Sequence, residues 1–118
     1  MANKAETIAT IQRLIGLTDQ GRCDWQETSQ LGQYKLSIGT SSFYISKSRK
    51  LINSYDVEIQ DYYENTITKE LYENKNNSSD AEHLYEAIAR FMHRKYQKQM
   101  KEISDKLDAL EKSGIVIA

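Results

Sequence analysis

The chain contains no proline, a single cysteine and no long apolar run among its 118 residues. With Cys23 alone, no disulfide bond can form within the chain, and a reducing compartment is favoured. No segment has the length of a membrane span, and the first residues lack the apolar run of a signal peptide. We therefore expect a cytoplasmic protein with no membrane partner. The lack of proline, beside frequent Asn, Lys, Ile and Tyr, is typical of AT-rich bacterial or phage genomes.

An excess of one charge is also missing, since the net charge is -1, which gives no reason to expect a polyanion along the whole surface. Nucleophile-elbow, phosphate-loop and zinc-protease motifs are absent. Cys23 lies between Arg22 and Asp24, whose charges shift the pKa of its thiol in opposite directions. No histidine is near in sequence to serve as a base. His83 and His93 have no ligand partner at metal spacing. We predict a protein that is not an enzyme, with no catalytic residue, cofactor or metal.

The most informative segment is the last third of the chain. Ser79 to Glu82 match a capping box, in which the Ser hydroxyl and the Glu side chain each satisfy a backbone N–H of the other residue. Gly114 can adopt the left-handed conformation that ends a helix, and no glycine or proline interrupts the residues between. The pattern predicts one long helix over residues 79–113, within a single domain of residues 1–118.

The remaining segments predict a helix followed by a sheet. Apolar residues share one helical face over residues 4–19, with a stop at Gly21. Strict alternation predicts strands at 33–38, 43–47 and 55–60, with shorter ones at 24–28, where Trp25 is buried, and at 66–68. Residues 69–72 fit either a strand end or a helical turn. We predict an α+β fold with an N-terminal helix, an antiparallel sheet of three to five strands and a long C-terminal helix, in two layers.

Alternation also predicts which side chains of the sheet are buried. Val57 and Ile59 should face the helices, and Asp56 and Glu58 should face water. On the wet face we expect these carboxylates to lie opposite lysines 35 or 47 as cross-strand charge pairs. The first half of the long helix has a wide apolar stripe that includes Leu84, Ile88, Ala89 and Met92, as expected of a helix that lies on a sheet.

The second half of that helix has a narrower apolar line, which we call the seam. Its spacings of threes and fours are typical of a coiled coil. The seam consists of Tyr96, Met100, Ile103, Leu107 and Leu110. A helix this long should extend beyond a short sheet, so the seam either packs back on the first helix or pairs with another copy or another protein. We favour a homo-oligomer, a dimer above all. The tail 115–118 either packs back on Leu110 or docks on a neighbour.

A second line on the same helix is basic and lies opposite the seam. This basic stripe consists of Arg90, Arg94, Lys98 and Lys101, and it fits either a solvated face balanced by nearby acids or a surface that grips nucleic-acid phosphates. The sequence thus predicts a non-catalytic protein–protein interaction or regulatory accessory module that self-associates through its C-terminal helix. The alternative is a nucleic-acid-associated accessory protein that uses the basic stripe.

Overall fold

The computed structural model describes residues 4–73 and 79–114. Its elements follow one another as helix α1 (Lys4–Asp19), strands β1 (Gln26–Glu27), β2 (Gln33–Ile38), β3 (Ser41–Lys47), β4 (Ser54–Gln60) and β5 (Thr66–Glu73), and helix α2 (Asp80–Ser113). The five strands form one antiparallel sheet in chain order. This arrangement confirms the predicted α+β fold, at the upper end of the predicted strand count. The tail 115–118 lies outside the described residues.

Helix α1 buries one stripe and ends where the sequence predicts. Thr7, Ile11, Leu14 and Thr18 are its buried residues. Gly21 adopts a φ of 72°, the Arg22 N–H donates to the Leu17 carbonyl at 2.9 Å, and the Gly21 N–H donates to the Thr18 carbonyl at 3.0 Å. These bonds satisfy the last carbonyls of the helix, as in the glycine-ended stop.

The core lies between the sheet and the two helices. Its centre is a contact between Trp25 and Phe43, whose rings meet edge to face with centroids 5.9 Å apart. Both residues are fully buried, as are Ile45 and Val57 on neighbouring strands. In the register of the sheet, Ile45 lies opposite Val57. The inward alternation predicted for β3 and β4 is therefore confirmed.

One alternative left open for the sheet is decided by the structure, and one prediction is wrong. Residues 69–72 continue the last strand, which is eight residues long from Thr66 to Glu73, and its inward-facing Thr68 and Tyr72 are buried although the segment lacks an apolar alternation. Lys47 does not share a face with Glu58: its Nζ lies 5.4 Å from the centroid of the Tyr85 ring, on the helix side. The residues opposite Glu58 are Tyr44 and Lys69.

Helix α2 begins at the predicted cap and is tied to the sheet by an aromatic cluster. The Glu82 N–H donates to Ser79 Oγ at 3.0 Å, and the Gly114 N–H donates to the Leu110 carbonyl from a left-handed φ of 71°. The Tyr85 ring lies 5.5 Å from the Tyr34 ring and 5.2 Å from the Tyr55 ring. Its hydroxyl donates to the Gly32 carbonyl at 3.0 Å. This cluster fixes the first half of α2 over the middle of the sheet.

The buried face of α2 differs from the predicted one at a single turn. Leu84, Ile88 and Met92 are buried as predicted, whereas Ala87 is buried in place of Ala89, which is exposed. Ala87 lies on the same side of α2 as Arg90, which contacts Asp19 at the end of α1. Neither helix of the described residues is long and apolar enough to cross a membrane.

Helix α2 is far longer than the sheet is wide. Its 34 residues measure about 51 Å at 1.5 Å per residue. The radius of gyration is 17.9 Å, whereas a compact chain of this length has about 13–14 Å. The difference comes from the C-terminal half of α2, which projects from the rest of the molecule.

Candidate functional site

The last contacts between α2 and the sheet lie at the β1 edge. Lys95 Nζ lies 3.4 Å from Asp24 Oδ1 and 3.4 Å from the Trp25 carbonyl oxygen. The next residue of α2 is Tyr96. The pKa of its hydroxyl is raised to about 12, first by a hydrogen bond to the Glu27 carboxylate and then by burial and the charge of Glu27. From residue 97 to residue 113 every side chain is exposed except Leu110, which is half-buried. We call residues 97–113 the overhang.

The seam runs along the overhang with little cover. The exposed fractions are 41% for Tyr96, 63% for Met100, 49% for Ile103 and 43% for Leu107. These residues follow the four-three-four spacing of coiled-coil core positions, and Leu110 continues it. The structure thus brings all five predicted interface residues onto one face of a projecting helix.

The first helix does not cover the seam. Gln12 Nε2 lies 3.3 Å from Asp80 Oδ2, and Asp19 Oδ1 lies 3.0 Å from Arg90 Nη2. The two helices therefore run in the same direction, and α1 ends beside Arg90, before the seam begins. Of the two alternatives left by the sequence, packing of the seam against α1 is excluded within the described residues.

The basic stripe is only partly free of the body of the molecule. Arg90 is paired with Asp19, so its guanidinium contributes to helix packing. Arg94, Lys98 and Lys101 are exposed on the side of α2 away from the seam. Glu102 follows Lys98 by four residues on the helix, within reach for a local ion pair.

The histidines and the cysteine considered in the sequence analysis lie apart from any metal-binding cluster in the described part of the chain. There, no cluster of three or more His, Cys, Asp and Glu side chains is arranged to hold a metal ion. His83 and His93 are both exposed, and Cys23 is buried in the core with 6% of its surface exposed. A buried thiol is not accessible to a substrate.

The sheet face away from the helices carries an open groove of about 760 Å³. Tyr44, Asp56, Glu58, Lys69 and Leu71 are among its lining residues. Glu58 accepts from Thr66 Oγ1 at 2.9 Å and from Gln60 Nε2 at 3.3 Å, so its carboxylate is occupied by neighbours on the sheet. Acidic and basic side chains both line the groove, and none of its ionisable groups is buried. The groove therefore does not favour one class of ligand.

No family model, curated protein or solved structure matches this chain. Sequence reasoning found the seam and the basic stripe from their helical spacing. It missed Asp24, which contacts Lys95 near the end of the cover along α2, because contacts between residues about 70 positions apart in sequence leave no local pattern.

Proposed function

We propose that this protein is a non-catalytic interaction module of the cytoplasm, regulatory or accessory in role, and that it self-associates as a dimer through the C-terminal half of α2. The single observation that carries the proposal is the seam, an apolar line in coiled-coil spacing on a helix that projects beyond its own sheet. Isolated apolar residues on a surface are ordinary. Five of them aligned on one face of one helix form a continuous surface of the kind that marks a protein interface.

Burial energetics support a partner for this surface. Full burial of a large apolar side chain stabilises by about 1.5–3 kcal/mol. In a single copy, Met100, Ile103 and Leu107 contribute only part of this stabilisation, because 43–63% of their surface is exposed. A second copy of the same helix presents the same line of residues, and two-fold pairing makes such a surface complementary to itself. A dimer is the smallest assembly that covers it.

The seam is short, and this sets the expected affinity. From Tyr96 to Leu110 the seam spans about 21 Å of helix, or two heptads. Burial of this short seam must offset a free-energy cost of association of about 4–15 kcal/mol. We therefore expect a dimer that dissociates on dilution rather than a permanent one. Such a dimer suits a regulatory module, whose assembly responds to its own concentration or to a competing partner.

The experiment is a measurement of mass against concentration by sedimentation velocity. Wild-type protein should pass from monomer to dimer over the micromolar range. Leu107→Asp places a charge in the seam and should remain a monomer throughout, whereas Ala109→Asp places the same charge on the solvent side of the same turn and should dimerise like wild type. Circular dichroism and thermal melts of both variants check that the sheet stays folded. A wild-type protein that stays monomeric at high micromolar concentration would contradict the proposal.

A second candidate is nucleic-acid binding through the basic stripe. It is supported by the exposure of Arg94, Lys98 and Lys101 on a projecting helix, where the sheet does not obstruct a phosphate backbone. The pairing of Arg90 with Asp19 and the net charge of -1 weaken it. Titration of mixed-sequence DNA or RNA at low salt tests it, since phosphate contacts bind most strongly there.

A further inference from the structure

The seam points in the same direction as side chains that pack on the sheet. About 18 residues of an α-helix make five full turns, so Ile103 projects from the same side of α2 as Tyr85, and Leu110 from the same side as Met92. The Tyr85 ring packs on Tyr34 of β2, and Met92 is buried. A partner that covers the seam must therefore lie in the layer of the sheet, just beyond its β1 edge.

A parallel pair of helices conflicts with that position. In a parallel pair, the first half of the second α2 would run beside the first half of this one, at an interaxial distance of about 8–10 Å. On the seam side, that space is already filled by the sheet, which packs against Tyr85 and Met92. In an antiparallel pair, the first half of the second α2 continues past Gly114, away from the sheet of this copy.

The seam has a self-complementary register in the antiparallel direction. With Ile103 opposite Leu107 of the second copy, Met100 lies opposite Leu110 of the second copy. Four apolar layers then form about a two-fold axis near Asp105. The same register sets the helix end of the second copy opposite Tyr96, one residue beyond the Lys95 contacts with Asp24 and Trp25 at the β1 edge. The overhang thus has the length that this pairing requires.

The charged residues that flank the seam favour a parallel pair, but their contribution to stability is weak. Lys106 would lie near Glu111 of the second copy in a parallel pair, and near the second Lys106 in an antiparallel pair. Exposed ion pairs contribute little to stability and are screened by salt. Overlap between a helix and a sheet, by contrast, involves backbone atoms and is not relieved by side-chain rotation, so it outweighs these charge pairs.

Extending the self-association proposed above, on which this inference rests, we propose that two copies pair antiparallel through residues 96–114. The two sheets then lie at opposite ends of a central helix pair. Each sheet keeps its outer face and its β3–β4 loop open, so that one dimer presents two equivalent surfaces pointing away from each other. The arrangement is that of a bivalent connector.

Spin labels on introduced cysteines test the direction. Lys98→Cys, Asp105→Cys and Lys112→Cys occupy equivalent solvent-facing positions one heptad apart, and each is labelled separately for dipolar distance measurement between copies. In the antiparallel pair the distance should be shortest at residue 105 and longer at 98 and 112, since residues seven positions from the axis are offset by about 21 Å along the helices. Wild-type protein, whose Cys23 is buried, gives the background labelling, and each variant should keep the wild-type melting temperature.

The outcomes separate the direction from the dimer itself. A short distance at residue 105 with longer, similar distances at 98 and 112 supports the antiparallel pair. Equal distances at all three positions would overturn the antiparallel direction and leave the dimer in place. A monomeric mass with no distance between copies would overturn both.

Discussion

Asp19 Oδ1 lies 3.0 Å from Arg90 Nη2, which joins the last residue of α1 to the first half of α2. Both side chains are about half exposed, and an exposed pair of this kind stabilises by at most about 1 kcal/mol. Its importance is positional. Because α1 ends at this pair, it does not extend along the overhang, and Lys95 makes the contacts of α2 with Asp24 and Trp25 at the β1 edge. Beyond Tyr96 the seam has little cover in a single copy, with 43–63% of the surface of Met100, Ile103 and Leu107 exposed.

Replacement of Thr18 by Val should destabilise the fold through a single lost acceptor. Trp25 Nε1 donates to Thr18 Oγ1 at 3.0 Å, and both residues are fully buried. Val has nearly the shape of Thr but no oxygen, so the indole N–H is left unsatisfied at a cost of about 1–3 kcal/mol. Urea denaturation measures the loss. Thr10→Val, which removes a hydroxyl bond at an exposed position of the same helix, is the control and should cost less; equal costs would contradict this account.

The elements that the sequence predicted best are those with a local signal. Helix α1 matches its predicted bounds, because both its periodicity and its glycine stop are visible in neighbouring residues. The full length of β5 was left open between a strand and a helical turn, since Thr68 and Tyr72 face inward without an apolar alternation. The position of Lys47 was predictable in principle: it shares its parity with Phe43 and Ile45, which were correctly placed inward.

The candidate site was predictable only in part, for a related reason. The spacing of the seam is local, so its five residues could be named from the sequence. Whether α1 would cover the seam depended on the direction in which the two helices pack, and that direction is set by contacts such as Gln12 with Asp80. Contacts between distant segments follow from the whole fold rather than from any short pattern.

Alkaline pH should destabilise the protein through Tyr85. Burial, followed by the proximity of Tyr34 and Tyr55, raises the pKa of Tyr85 to about 12 from an ordinary value of 10.0. Above pH 10 the unfolded chain loses this proton while the folded chain keeps it, so the free energy of unfolding falls between pH 10 and 12 and is unaffected below that window. Denaturant midpoints should fall across this window in wild type and fall less in Tyr85→Phe. A Tyr62→Phe variant, at a position 70% exposed, should follow wild type; the same decline in Tyr85→Phe would exclude Tyr85 as a cause.

If the basic stripe binds nucleic acid, reversal of two charges should weaken binding equally for all sequences. Changing Arg94 and Lys98 to Glu removes two phosphate contacts, and the slope of log affinity against log salt should fall by about 2, at about 0.9 per contact on duplex DNA. Fluorescence anisotropy over a salt series measures it. Arg49 and Lys50, both exposed on the β3–β4 loop, changed together to Glu, form the control with the same change in net charge. Absence of wild-type binding to mixed DNA and RNA at low salt would end this alternative.

Truncation of Ile59 should cost more stability than truncation of Glu58, its neighbour on β4. Ile59 packs against the core from a half-buried position, opposite Phe43, so Ile59→Ala should cost about 1–3 kcal/mol, below the range of about 2–5 for fully buried sites. Glu58 lies on the other face and accepts hydrogen bonds from Thr66 and Gln60. Water replaces these bonds on removal, so Glu58→Ala should cost under about 1 kcal/mol. Denaturant melts of the two variants measure both losses of stability. The comparison tests the assignment of the two faces, because alternation along a strand puts adjacent residues on opposite faces of the sheet. A larger loss at Glu58 would mean that the outer face of the sheet, with its open groove, has a structural or binding role that its exposure does not indicate.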